Sequence, residues 1–466
     1  MYQLDKDILN LIFENLKVNL YPCLLVNKTW CETIVPIIWK NPWNDLIGSL
    51  YFKREKSLLK VIVSHIPDEK KVKEIFYYLK INQTEIDSFQ RPLFDYISFC
   101  KHLNLGSIMR IINNIIDSSE RLTVQDEIFN LFVNENIRIT HLYIPNDFNY
   151  QIHLIPGARS CFSKIKFLKC STNINNNILI GLIEMCKSIK ELKLVIERFN
   201  NNYEIIKLIE AQKRLVRVHF ELSYYNSLFP QDGSFGKVLE NSLIKHSNTI
   251  QYFTAHRPIS TEILSSLINL KGLELRGNFL TPEKWKNLEN ASLPSLQFLK
   301  LNGLPFNCIV SLIKNTSGSL VEIELCDYFY YSENEYKRII QVIYQNCPNL
   351  KYFTFSPQVT DILETEKLLI TCQFLNGLHI INRKYIDWDS LFKVLIKASP
   401  VRLYKFYFEV NEPIKLESLK YFIDNWKGRR PILLKIKCMY TGIDTEMRNL
   451  LKKYLLEGLI DTLYEW

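Results

Sequence analysis

One apolar frame returns along most of this chain, and it limits the fold more than any other feature. The frame is apolar-x-x-apolar-x-apolar, seen most plainly at Leu270-x-x-Leu273-x-Leu275. Its central residue recurs as Leu142, Ile165, Leu192, Val218, Phe253, Leu273, Leu299, Ile323, Phe353, Leu378, Phe406 and Ile436, with centres about 27 residues apart on average. Apolar residues two apart read as a strand with one buried face. The stretches between, such as 178–186, 203–212 and 335–346, carry helical spacing instead. A strand and a return helix in each unit describe a stack whose units bury their apolar edges on their neighbours. A doubly wound α/β sheet competes, but its ligand loop needs glycines, and the chain has 14 in 466 residues.

The period falls in the ~20–29 residues of leucine-rich repeats, and Cys347-Pro-Asn-Leu350-x-x-Phe353-x-Phe355 resembles the cysteine-containing subtype of that family. The expected fold is therefore an α/β leucine-rich-repeat solenoid over residues 136–444. Residues 445–466 read as a C-terminal capping helix, with Met447, Leu450, Leu451, Tyr454, Leu455 and Leu459 at helical spacing. Residues 46–135 read as an all-helical spacer, with helices near 57–66, 69–79, 93–103, 108–116 and 125–133.

Residues 1–45 stand apart. Ile8, Leu9, Ile12, Phe13 and Leu16 give one helix a broad sticky face, and Asp5 is placed to cap it. Pro22 can open a second helix carrying Cys23, Leu24, Leu25 and Val26, and a third runs through Trp30 and Ile34 towards Trp39, with Pro36 bending or ending it. A segment this short cannot bury three such faces alone. Leu4-x-x-x-Ile8-x-x-x-Ile12-Phe13-x-x-Leu16, followed by Leu25-Val26-Asn27-Lys28-x-Trp30 and Trp39, resembles the F-box, in the form found in the expanded fungal families. One departure is that the usual Leu-Pro start reads Leu4-Asp5.

The resemblance implies a hook that docks on the Skp adaptor of SCF ubiquitin ligases through Leu4, Ile8, Leu9, Ile12, Phe13, Leu16, Leu25, Val26 and Trp30. It also implies a cullin reached indirectly through that adaptor, and a target protein held by the repeats. The chain would then be a substrate receptor without catalytic activity. An interaction scaffold that does not engage a ligase is a second reading, and a basic nucleic-acid-binding solenoid is a third.

The chain offers little catalytic chemistry. It has no His-Glu-x-x-His, phosphate loop, dinucleotide fingerprint or Gly-x-Ser-x-Gly elbow, and its eight histidines are scattered. No catalytic residue, cofactor or metal site is expected. Asp387-Trp388-Asp389 and Glu364-Thr365-Glu366 look like helix starts, where acidic residues favour the helix dipole. The eleven cysteines include no Cys-x-x-Cys pair and read as reduced core thiols. The N-terminus lacks the basic start and apolar run of a signal peptide, and no uncharged apolar stretch approaches ~18 residues. A cytoplasmic or nuclear protein is expected, with no membrane partner. The +9 charge is scattered, so nucleic acid is not the expected ligand.

Recognition is left to the residues that flank the buried pairs and face the concave surface of such a stack. In the expected register, Tyr252, Glu274, Phe298, Glu322, Glu324 and Tyr352 form a centre of aromatic and acidic residues. Basic residues lie towards the ends, at Lys164, Lys166, Lys193 and Arg217 and again at Lys405, Lys435 and Lys437. Tyr252, Glu274, Phe298, Glu322, Glu324, Tyr352, Lys193 and Arg217 are the candidate target-binding residues.

Overall fold

The computed structural model describes residues 5–16, 20–44, 51–223, 233–277, 282–326, 331–356, 362–382, 386–438 and 443–464. The chain divides into two compact units, Met1–Leu215 and Val216–Trp466.

The first unit opens with helix α1 (Lys6–Asn15), a 3-10 turn (Tyr21–Leu25) and helix α2 (Lys28–Trp39). Leu9, Phe13 and Ile34 form a small core, with Leu20, Cys23, Leu24, Trp30, Ile37 and Ile38 packed around it. Phe13 and Trp30 meet edge to face at 5.0 Å, and Asn27 caps α2 by accepting the Trp30 amide at 2.9 Å. Asp5 precedes α1, but its side chain makes no capping hydrogen bond. Where the sequence suggested a full second helix, the segment after Pro22 closes in a single 3-10 turn, because Asn27 already starts α2. Pro36 sits inside α2 without ending it, since the Lys40 amide still reaches the Pro36 carbonyl at 3.0 Å.

Helices Tyr51–Val63, Glu69–Tyr78, Leu105–Ile115 and Arg121–Phe132 follow. Four parallel strands complete the unit: β1 (His102–Asn104), β2 (His141–Tyr143), β3 (Phe167–Ser171) and β4 (Glu191–Ile196). The helix expected at 93–103 does not form. Only a 3-10 turn at Ile97–Phe99 appears there, and the chain then enters β1, so the segment read as all-helical contributes a strand. The ladder explains why. The Lys101 and His102 amides both go to the Lys40 carbonyl, at 3.0 and 3.2 Å, instead of to a helical partner.

The second unit contains β5 (Arg217–Leu222), β6 (Tyr252–Ala255), β7 (Gly272–Arg276), β8 (Phe298–Asn302) and β9 (Glu322–Cys326). It continues with β10 (Tyr352–Phe355), β11 (Gly377–Asn382), β12 (Lys405–Val410), β13 (Ile432–Cys438) and β14 (Ile460–Tyr464). Each strand pairs in parallel with the next in chain order. Return helices such as Phe306–Lys314, Glu333–Asn346, Trp388–Ala398 and Leu416–Asn425 cover the apolar side. Ser332 and Glu335 form a capping box on one of them, and Asp387 caps another by accepting the Ser390 amide. Leu270, Leu273 and Leu275 are all buried, as a leucine-rich-repeat solenoid requires.

One backbone device repeats in both units. The two amides that enter a strand share one carbonyl just before the preceding strand: Lys271 and Gly272 on Gln251, Gln297 and Phe298 on Lys271, Val321 and Glu322 on Gln297. Buried thiols add a second tie between repeats. Cys161 donates to the Phe132 carbonyl, Cys186 to Phe162 and Cys372 to Cys347, at 3.6–3.8 Å. Burial pushes the Cys186, Cys347 and Cys372 thiols up to about 12, so they stay protonated.

The register corrects the expected frame twice. Leu142 pairs with Leu168, not Ile165, and Phe406 pairs with Leu434, not Ile436. Lys164 and Lys166 therefore precede β3, and Lys169 takes the place given to Lys166. Lys435 moves to the inner of the two flanking positions, and Lys437 pairs with Glu409 one step further along. The C-terminal segment also differs from a single capping helix. Helix Thr445–Leu456 ends at Gly458, whose φ of +70° suits a left-handed turn, and the chain then adds β14. No described helix is long and apolar enough to cross a membrane.

Candidate binding surfaces

The hook presents two faces. Leu9 and Phe13 point into its own core at 3% exposure, so they support the surface rather than form it. Trp30 is half-buried against Phe13. Ile8, Ile12 and Leu16 are exposed along α1, and Leu25 and Val26, at the end of the 3-10 turn, are 91% and 56% exposed. Leu4 lies outside the described residues. Leu11 belongs to the same exposed set at 64%, and the sequence reading missed it although it lies three residues from Ile8 on the helix. Tyr21 extends the set from the 3-10 turn. A monomeric protein rarely leaves so many large apolar side chains together in water.

In the second unit the strands line up a first flanking row of Arg217, Tyr252, Gly272, Phe298, Glu322, Tyr352, Gly377 and Lys405. A second row holds His219, Thr254, Glu274, Lys300, Glu324, Thr354, His379, Tyr407 and Lys435. Seven of the eight expected target-binding residues fall on these rows. Lys193 lies in the first unit, half-exposed between the buried Leu192 and Leu194 of β4.

Close approach shapes the first row. A Cβ on Gly272 would stand 2.5 Å from the Tyr252 ring, and one on Gly377 would stand 2.9 Å from the Tyr352 ring. The glycines thus let each tyrosine lie over the neighbouring strand. The Arg217 guanidinium sits 3.8 Å from the Tyr252 ring centre, and the Lys405 ammonium donates to the Tyr352 hydroxyl at 3.2 Å.

Charges in the second row are already matched. Lys300 pairs with Glu324 at 2.9 Å, and Glu274 with Arg276 at 3.5 Å. Glu322 differs. It is half-buried, and no cation lies within ion-pair range among the described residues. Burial, with the Glu324 charge adding to it and the Lys300 charge only partly opposing it, raises its carboxyl above the usual range.

His379 stacks on Tyr407 at 4.0 Å, with its Nε2 3.8 Å from the Glu409 carboxylate. Burial outweighs the attraction of Glu409 and Glu324 and, with Lys435 and Lys437 nearby, lowers the imidazole to about 4. The ring is therefore neutral at pH 7. A lowered folded-state value means that the unfolded chain takes up the proton first on acidification. The stability contributed by neutral His379 is thus complete above pH ~6.5 and declines as pH falls towards about 4. His379→Phe is expected to flatten that part of the stability profile, measured as thermal midpoint against pH. An unchanged slope would show that the ring titrates normally.

No family model matches this chain, and no curated protein matches it in sequence. Solved structures do match. One is the leucine-rich-repeat-containing protein LegL7 from Legionella pneumophila, 14% identical, with a TM-score of 0.36 over 62% of this chain and 91% of that one. Another comes from the Rad7 and Elc1 complex in yeast, 14% identical, with a TM-score of 0.39 over 89% of this chain and 94% of that one.

Proposed function

We propose that this chain is the substrate-recognition subunit of a cullin-type ubiquitin ligase, binding a Skp adaptor through the hook and a target protein through the strand ladder. The observation that carries the reading is the set of apolar side chains of the hook, Ile8, Leu11, Ile12, Leu16, Leu25 and Val26, left in water while Leu9 and Phe13 hold the hook together from inside. The F-box resemblance says which partner covers them. The chain itself supplies no chemistry in this reading. It holds the target beside a charged conjugating enzyme, and that proximity raises the rate of transfer. The work takes place inside the cell, in cytoplasm or nucleus, where the buried thiols stay reduced.

The test is adaptor binding by the purified chain. Micromolar or tighter affinity is expected, with a loss of about 100-fold or more in the Ile12→Asp/Leu25→Asp double variant, because anchor residues each carry about 2 kcal/mol. Both side chains are exposed, so the variant should melt with the parent. Asp5 at the usual proline position favours the alternative of a scaffold that no longer engages the ligase. Absence of adaptor binding at micromolar concentration would select that alternative.

A further inference from the structure

Glu322 is the single carboxylate of the first row from β5 to β13, and its neighbours in register are Phe298 on β8 and Tyr352 on β10. Glu274 and Glu324 each hold an ion pair, whereas Glu322 makes none among the described residues, and the cation that acts on it, Lys300, is paired with Glu324. The Tyr352 ring leans over Gly377, away from this position, so Phe298 is the ring beside the carboxylate, and a carboxylate next to a ring suits a planar cation. A guanidinium can donate two parallel hydrogen bonds to the oxygens and rest its face on a ring, while an ammonium offers only a point charge.

Two cations flank this position in the same row. Arg217 lies four strands to one side on β5, and Lys405 three strands to the other on β12. At ~4.8 Å per strand these are roughly 19 and 14 Å away. An extended chain advances ~3.3 Å per residue, so the spans equal about six and four residues. Both cations are held in place on tyrosine rings, and Gly272 and Gly377 keep those rings low. A backbone can therefore cross the strands above them.

We propose that the target is an extended protein segment lying across β5–β12, with an arginine seated on Glu322 beside Phe298. Acidic residues about four positions away on one side and six on the other meet Lys405 and Arg217. Charge complementarity selects this occupant over nucleic acid, whose phosphates Glu322 would repel. The proposal rests on the receptor reading only in taking the ladder's ligand to be a protein.

The experiment is a selection of random dodecapeptides displayed against the immobilised full chain, run in parallel on Glu322→Gln and Glu322→Lys. A random single-stranded oligonucleotide pool is the second probe. The expected result is one enriched arginine with acidic residues at the stated spacings. The best peptide should lose about tenfold or more in affinity on Glu322→Gln, or when its arginine becomes lysine. Glu322→Lys should instead select an acidic residue at that position. Glu322→Gln is isosteric, and its melting curve should overlay the parent's. Selection without arginine enrichment, unchanged affinity for Glu322→Gln, or oligonucleotides bound more tightly than any peptide would each overturn the proposal. Adaptor affinity measured on the same preparations keeps the two claims apart. Intact adaptor binding without arginine selection removes this inference alone. Arginine selection without adaptor binding leaves it standing and removes the ligase.

Discussion

Glu240→Ala is expected to destabilise the second unit by about 3–5 kcal/mol, because it strands a buried guanidinium. Arg257 and Glu240 are 10% and 6% exposed and meet at 2.5 Å. Arg257 also donates to the carbonyls of Gly236 and Pro258, while the other Glu240 oxygen accepts the Ser260 amide at 3.1 Å. A Cβ on Gly236 would stand 2.6 Å from the guanidinium, so the enclosing helix is built around this ion. Burial lowers the Arg257 pKa and the Glu240 charge opposes that shift. Removing the glutamate leaves the effect of burial unopposed. The double variant Glu240→Leu/Arg257→Met should recover most of the loss, since an apolar pair needs no desolvation of charge. Urea midpoints of the single and double variants measure both numbers. A single-variant cost below about 1 kcal/mol would mean that water reaches the guanidinium.

The strand frame was legible because its apolar residues alternate and recur, and it failed where chemistry blurred the alternation. At β3 the buried set is Ile165, Leu168 and Cys170, but Phe162, Ile165 and Phe167 also match the pattern. A cysteine filling an apolar slot is easily passed over, and the resulting error of three turned the lysines of that repeat out of place. At β13 the run Ile432-Leu433-Leu434 admits two phases. A slip of two keeps every side chain on its proper face and only moves it along the strand. β1 and β14 were hidden for another reason. They are short, and their flanks carry enough apolar residues to look helical, so only the neighbouring strand decides the outcome.

The candidate surfaces were legible as residue types and not as roles. The helical period showed that α1 is sticky but could not say which side packs on α2. Leu9 and Phe13 were therefore grouped with Ile8 and Ile12. Likewise, three glutamates on the ladder looked equivalent. Their difference comes from Arg276 two residues along β7 and Lys300 on the neighbouring strand β8, which pairs with Glu324, so that among the described residues Glu322 has no ion pair of its own. The glycines at 272 and 377 each make room for a tyrosine one strand away, a role that no single repeat read by itself displays.

Trp43→Ala is expected to cost about 3–5 kcal/mol and to release the hook from the first unit's strands without disturbing the exposed apolar residues of α1. The Trp43 indole is 6% exposed, lies 5.9 Å from the Phe132 ring, and donates to the His102 carbonyl at 2.7 Å. Trp39, one turn earlier, stacks on Tyr96 at 4.7 Å. The Lys40 carbonyl accepts the Lys101 and His102 amides just as Lys101 accepts those of Thr140 and His141. The end of α2 thus serves as the first rung of the ladder, so hook and strands share one hydrogen-bond system. A receptor that works by orientation needs such a joint, because a flexible hook would lose the effective concentration of target at the ligase. Amide exchange of Lys101 and His102 should accelerate in Trp43→Ala, while the adaptor affinity expected under the proposed function stays within about threefold, since Ile8, Ile12 and Leu25 are untouched. Under the proposed function, target modification by the assembled ligase then falls although both partners still bind. Unchanged exchange at His102 would show that the hydrogen bonds through Lys40 hold the joint without the indole.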